Sequence, residues 1–521
     1  MPAQSPFQEH LYTNYIPTDD EMDQIRADLP QHEAELVSLN KLIRELTARH
    51  NGIKAHIDSH RALISYARRL PQDIIEEIFL ACLPTEGCPK LNSREAPLIL
   101  GHICGLWRSI AFGMPSLWSS LHFSMQAPWR DFAKHSEAIT DWLVRSGELP
   151  LAISTWGETM YREHYHQIIT RFSHRIRSLH MSDMTVTQYL LVAGLDAPLL
   201  DEIRFAPRYW DHGLGQRVLL SKLFRGENLR RVTLYSLEDM WSFVPIAPFF
   251  WHHLTDLSLE AGDNGGLYCR SAHRLIKGCP NLRSLKFAFQ TDWSEDQPFH
   301  PTKHITLPNL ESLTILLSYT DINHVYKDLV DMLFMPRLTV FHLSHSRTIP
   351  RTSPCPPLSN LECLDHLAAR SPEIVNLTLD FLYLTKTTGV HLLQLFPRVE
   401  TLQLMADEMY TLGNRTMGQS QRDAIEFIKL LNRLCPDLTE LVLESESSIT
   451  EFSEAIIGFL NSTTTLRRFD IRCSCVLDSE ARETVPDFQL FRRRGIVINT
   501  TYTYPPLKAT SGQFSAFGMA F

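Results

Sequence analysis

Four groupings in this chain hold residue types that could do chemistry. His164 and His166 flank Tyr165, His252 and His253 are adjacent, His342 and His345 lie three apart, and Cys473 and Cys475 form a Cys-x-Cys. Imidazole and thiolate are the usual zinc donors, but zinc needs three or four convergent ligands. None of the four groupings supplies a third at ligand spacing, so no metal site is expected. Cys473 and Cys475 read instead as two thiols on one side of a strand. The Gly-Asp-Asn-Gly-Gly at 262–266 follows a strand, as a phosphate turn would, yet it lacks the Gly-x-Gly-x-x-Gly spacing and no helix opens at its last glycine. It reads as a plain turn. No Gly-x-Ser-x-Gly, His-Glu-x-x-His, phosphate-binding loop or paired-carboxylate signature occurs. The expectation is a protein with no catalytic residues, no cofactor and no enzymatic activity.

The bulk properties point the same way. The 521 residues carry a net charge of −9, with 44% hydrophobic and 21% charged residues. That is ordinary for a soluble globular chain of several domains. No single-sign field is strong enough to make nucleic acid or a membrane the main partner. The opening residues lack a basic region followed by an apolar one, so no secretory leader is expected. The longest apolar run, 244–251, is far short of the ~20 residues that cross a bilayer and contains two prolines. Ten cysteines with no export signal read as reduced thiols, which places the protein in the cytoplasm, the nucleus or both. The Asn-x-Ser/Thr matches at Asn376, Asn414, Asn461 and Asn499 then read as chance.

The elements that would position any site come from a repeat. An apolar helix end, a proline, one residue and then Leu-x-x-Leu-x-Leu recur at 279–287, 307–315, 335–343, 371–379, 396–404 and 435–443. Weaker copies occur at 175–181, 198–205, 228–234, 253–259 and 465–471. Pro280, Pro308 and Pro336 are 28 residues apart, within the leucine-rich period. Later spacings stretch, with polar inserts at 347–357 and 410–422. Alternating apolar positions make each Leu-x-x-Leu-x-Leu a short strand with one face inward. Amphipathic helices are expected between copies, at 326–334, 361–369, 390–396, 423–434 and 454–460, each stopped by its proline. One unit cannot bury its own apolar face, so the units must stack into a solenoid of parallel strands backed by helices. Eleven unequal copies do not suit a closed eight-unit barrel.

Strand alternation also names the outward residues. They run from Arg231/Thr233 and Asp256/Ser258 through Ser284/Lys286, Ser312/Thr314, Val340/His342, Asn376/Thr378, Thr401/Gln403 and Glu440/Val442 to Arg468/Asp470. Ser284, Lys286, Ser312, Thr314, His342, Thr401 and Gln403 are the candidates for contact with a target protein. Their mixed character specifies no target.

Before the repeats come two helical segments. From Ile25 to Ile64, twelve positions step by four and three, the a/d spacing of a coiled coil, and His32, His50 and His60 are three of them. These histidines read as polar residues tolerated in a weak seam. Asp19, Asp20 and Glu21 favour a helix start, and Pro30 is expected to delay the regular part. A compact module follows. Pro71 suits a first helical position, Ile74, Ile75, Ile78, Phe79 and Cys82 form an apolar stripe, and Pro84 ends the helix. A second helix should carry Leu100, Ile103, Cys104, Trp107, Ile110 and Ala111 on one side, with Trp118 and Leu121 closing the unit. So small a module needs a neighbour to cover part of its apolar surface.

Leu70-Pro71-x-Asp73-Ile74-Ile75-x-x-Ile78-Phe79 resembles the opening of an F-box, and Ile103-Cys104-x-x-Trp107-Arg108-x-Ile110-Ala111 resembles its second half. With the continuation at 114–121, the chain is similar to F-box proteins with C-terminal leucine-rich-like repeats, a group expanded in mushroom-forming basidiomycete fungi. It departs in having Asp73 where Glu is commoner and a long loop over 85–95. The resemblance implies docking onto a Skp-type adaptor and, through it, a cullin. Leu70, Pro71, Ile74, Ile78, Phe79 and Trp107 would contact or shape the adaptor face.

The expected architecture is α/β: an N-terminal tail at 1–18, a heptad helix at 19–66, an F-box-like all-α module at 67–123, an irregular leucine-rich-repeat solenoid at 150–499 and a flexible tail at 500–521. The implied function is substrate recognition for a cullin–RING ubiquitin ligase. The alternative is a protein-binding scaffold that oligomerises through its N-terminal helix and has no link to ubiquitin.

Overall fold

The computed structural model describes residues 6–126, 132–157, 162–207, 221–235, 251–260, 269–288, 304–317, 330, 332–345, 362–381, 384–406, 419–445, 452–473 and 487–502. The chain divides into two compact units, Met1–Ile78 and Phe79–Phe521.

The first unit is dominated by one helix, Asp19–Leu63, about 68 Å long at ~1.5 Å per residue. Its start is set by Glu21, whose carboxylate accepts hydrogen bonds from the Thr18 backbone (2.7 Å), the Thr18 hydroxyl (2.9 Å) and the Tyr15 hydroxyl (3.0 Å). Those donors pull its pKa down. Pro30 lies inside the helix without ending it, so the expected interruption does not occur. A proline about three turns into a 45-residue helix removes a single hydrogen bond, and the turns on either side keep the axis.

The second unit is built on a parallel sheet. Among the described residues, fourteen strands run strictly in chain order: β1 (Ser120–Ser124), β2 (Leu151–Trp156), β3 (Ile176–Met184), β4 (Glu202–Pro207), β5 (Arg231–Leu234), β6 (Asp256–Leu259), β7 (Ser284–Ala288), β9 (Ser312–Leu317), β11 (Val340–His345), β12 (Asn376–Asp380), β13 (Thr401–Ala406), β14 (Glu440–Ser445), β15 (Arg468–Cys473) and β16 (Val497–Tyr502). Each pairs in parallel with its neighbours, the arrangement of a repeat solenoid. All eleven sequence copies supply a strand, although Thr378, Val442 and Asp470, expected outward, are buried. Leu257, Leu285, Leu313, Phe341, Leu402 and Phe469 stack inward and are fully buried. Asparagines and a threonine link successive repeats: Asn228 donates to the Pro198 carbonyl (2.8 Å), Asn281 to that of His252 (2.7 Å) and Thr465 to that of Pro436 (3.0 Å).

Helices at Glu362–Arg370, Lys386–Leu395 and Ser453–Ser462 lie where the period asks for them. Two others differ from expectation. The stretch 423–434 is two helices, Gln419–Ile428 and Leu431–Leu434, and the turn between them lets both Ile428 and Leu431 enter the core. The end of 410–422 therefore belongs to a helix; most of that insert, like 347–357 and the turn at 262–266, lies outside the described residues. The C-terminal end of 326–334 is not helix but strand β10 (Leu333–Phe334), which pairs with β8 (Ile305–Thr306). The prolines that follow both segments favour extended backbone, and the two extended pieces satisfy each other, Leu307 donating to the Phe334 carbonyl at 2.9 Å. The remainder of 326–334, apart from Val330 and Met332, lies outside the described residues.

Candidate protein-binding site

Because neighbouring strands keep one register from β4 to β16, equivalent outward positions line up in rows. Ser284 lies beside Ser312, and Lys286 beside Thr314, then His342, Thr378 and Gln403. Six of the seven sequence-chosen contact candidates thus fall on contiguous strand positions, and Thr401 continues the Ser284–Ser312 row three strands on. All seven are half-buried rather than fully exposed, since adjacent strands sit only ~4.8 Å apart and each side chain shields the next.

The chemistry of that row is hydrogen bonding. His342 Nδ1 lies 2.6 Å from the Thr378 hydroxyl. Burial, and then the charge of Lys286, holds the His342 pKa below the ordinary imidazole value. Lys286 donates to Glu260 at 2.8 Å, and Gln403 donates to Glu444 at 3.0 Å. The result is a neutral ring, an amide and hydroxyls beside the Lys286–Glu260 ion pair, suited to holding polar groups of another molecule.

A second cluster lies nearer the start of the sheet. Glu202 sits among basic side chains: Arg204 Nε at 2.6 Å, Arg231 at 3.3 Å and His180 Nε2 at 3.4 Å. Burial alone would raise its pKa, but the bonds and charges of His180 and Arg204 outweigh that and hold it at about 2. Arg231 also reaches Asp201 at 2.7 Å. Beside this cluster His122 meets the Ser154 hydroxyl at 2.9 Å, its pKa lowered by burial and then by Lys90 and His180. Sequence reasoning named the copies at 175–181 and 198–205 but not their outward residues. The same alternation rule, applied to those two weak copies, would have found His180, Glu202 and Arg204. Tyr235, Glu260 and Glu444, each one step past the last leucine of its motif, were also missed, because the expected outward pairs stop before that leucine.

The helical module is arranged as follows. In the helix Gln72–Ala81, Phe79 and Ile75 are buried, Ile78 is half-buried and Ile74 is 45% exposed; Pro71 just before it is exposed and Leu70 half-buried. Phe79 packs edge-on against the half-buried Trp107, ring centroids 5.0 Å apart, so it supports the module from inside. The expected second helix is split. Leu100–Ile103 and Gly105–Phe112 are separated by extended Cys104, whose sulfur caps the second piece by accepting from the Trp107 backbone. The break rotates Ile103 and Leu106 outward, and they are 55% and 53% exposed. Trp118 is fully buried, donates to the Ala111 carbonyl at 2.8 Å and meets Trp142 edge-on, which ties the module to the first repeats. The long loop over 85–95 is also used: Lys90 bridges His122 and so occupies the free edge of β1.

The candidate metal donors do not converge. His164 packs edge-on against Phe132, His166 lies near Thr170 on the other side of the same helix, and the rings of His252 and His253 meet at right angles 5.1 Å apart. Cys473 is buried; Cys475 lies outside the described residues. Among the described residues no three His, Cys, Asp or Glu side chains are placed to hold a metal ion.

No family model and no curated protein matches this chain. Among solved structures it is similar to the crystal structure of the Rad7 and Elc1 complex in yeast, at 14% identity, over 71% of this chain and 88% of that one, with a TM-score of 0.34. A likeness that distant says nothing of function.

Proposed function

We propose that this chain is the substrate-recognition subunit of an F-box-type cullin–RING ubiquitin ligase, acting in the cytoplasm or nucleus. Its helical module docks onto a Skp-type adaptor, and its leucine-rich-repeat face holds a target protein. Transfer of ubiquitin is then a matter of positioning, with the chemistry supplied by other subunits. One observation carries the reading: the two F-box-like motif halves leave Ile74, Ile103 and Leu106 in solvent, although Phe79, Ile110 and Trp118 already fill the interior. Apolar side chains left out of a filled core are what an adaptor would cover. The polar rows around Lys286, His342 and Gln403 are the complementary end of the device.

Co-expression with a Skp-type adaptor tests it. Wild type should co-purify with the adaptor, and a Leu70→Asp/Pro71→Ala variant should lose it while keeping its circular dichroism spectrum. If the wild-type chain does not bind the adaptor, the proposal is wrong. A Lys286→Glu/Gln403→Ala variant should keep the adaptor and lose the target.

A further inference from the structure

From Leu29 to Ile64 the aliphatic residues of the heptad seam are between 43% and 70% exposed. A helix this long, with a bare apolar stripe, needs a second helix to cover it. Its charges say which. Residues 19–40 carry seven carboxylates against Arg26 alone, a net of −6, whereas residues 41–63 carry five cations against Glu45 and Asp58, a net of +3. We propose that the helix Asp19–Leu63 pairs antiparallel with the same helix of a second copy of this chain, acidic half against basic half.

The seam fits that arrangement at one register. With the twofold axis between Arg44 and Glu45, each a position faces a d position: Leu36 opposes Ile53, Ile43 opposes Leu46, and Ile25 opposes Ile64. All three seam histidines then meet aliphatic partners, His32 against Ile57, His50 against Leu39 and His60 against Leu29. At the flanks Glu33 meets Lys54 and Glu35 meets His56; Arg26 against Arg61 is the unfavourable flank. A parallel pair in register would oppose each histidine to its own copy. It would also place Asp28 against Glu33 and Arg49 against Lys54, each twice. Opposed like charges and facing imidazoles disfavour that form.

The test uses the full-length protein in sedimentation equilibrium and light scattering. Wild type should have twice its 59.9 kDa chain mass at micromolar concentration. Leu39→Glu/Leu46→Glu should be monomeric with unchanged circular dichroism, both residues being solvent-exposed. Glu33→Lys should weaken the dimer about fivefold by opposing Lys54, and adding Lys54→Glu should restore it. In a parallel dimer Glu33→Lys would instead face Asp28 and tighten association. A monomeric wild type, a dimer indifferent to Leu39→Glu/Leu46→Glu, or a dimer strengthened by Glu33→Lys would each overturn the proposal.

Discussion

The long helix and the parallel sheet use the same residue, leucine at regular spacing, with opposite results. In the sheet, Leu257, Leu285 and Leu313 are fully buried; in the helix, Leu36, Leu39 and Leu46 are 49–59% exposed. The difference lies in what each period needs. A solenoid strand is covered by the next repeat of its own chain, so folding alone completes the core. A single heptad stripe faces one direction along its whole length, and only a second helix can close it. Regularly spaced leucine therefore completes a core in one region and leaves a bare stripe in the other.

Substitutions can separate the two. The largest effect should come from Leu313→Ala in the middle of the sheet: about 3 kcal/mol lost, read by denaturant unfolding, because neighbours on both sides cannot collapse into the gap. Next is Gly389, on the helix Lys386–Leu395, where an added Cβ would lie 3.0 Å from Phe427 and 3.3 Å from Phe381. Gly389→Val should cost about 1–3 kcal/mol by overpacking, visible as a lower Tm.

Glu202→Gln should cost about 1–2 kcal/mol near neutral pH, since Arg204 and Arg231 lose their shared carboxylate. Its pH dependence has a definite sign. The folded-state pKa, about 2, is below the ordinary 4.5, so the stabilisation is fully present above about 4.5 and fades as pH falls toward about 2. Wild type and variant should converge across that window. A constant gap would mean that the carboxylate charge is not the cause.

The smallest effect should be Leu46→Ser. Its side chain is already half in water, so the sheet's unfolding free energy should change by less than about 0.5 kcal/mol. If Leu46→Ser destabilised the sheet as much as Leu313→Ala, the contrast between the regions would fail.

The strand phase was readable because the motif carries its own register: Leu-x-x-Leu-x-Leu fixes which residues point in, so Lys286, His342 and Gln403 could be named as outward before any fold was known. The Glu202 cluster was harder, since its copies replace leucines with Ile203, Phe205, Met181 and Val232, and those of His180 and Arg231 lack the proline. The split at Cys104 was not readable, because Ile103 and Leu106 continue a helical pattern that only the extended backbone at Cys104 interrupts.

Sequence by itself determined the repeat, the phase of its strands, the heptad seam and the two halves of the helical module, because each is a local period with a physical cause. Tertiary structure alone decided that Lys90 covers the edge of β1, that Leu333–Phe334 pairs as strand, and that Arg204, Arg231 and His180 converge on Glu202. Those arrangements depend on which backbone and charge another segment leaves unsatisfied. That is known only once the segments are side by side.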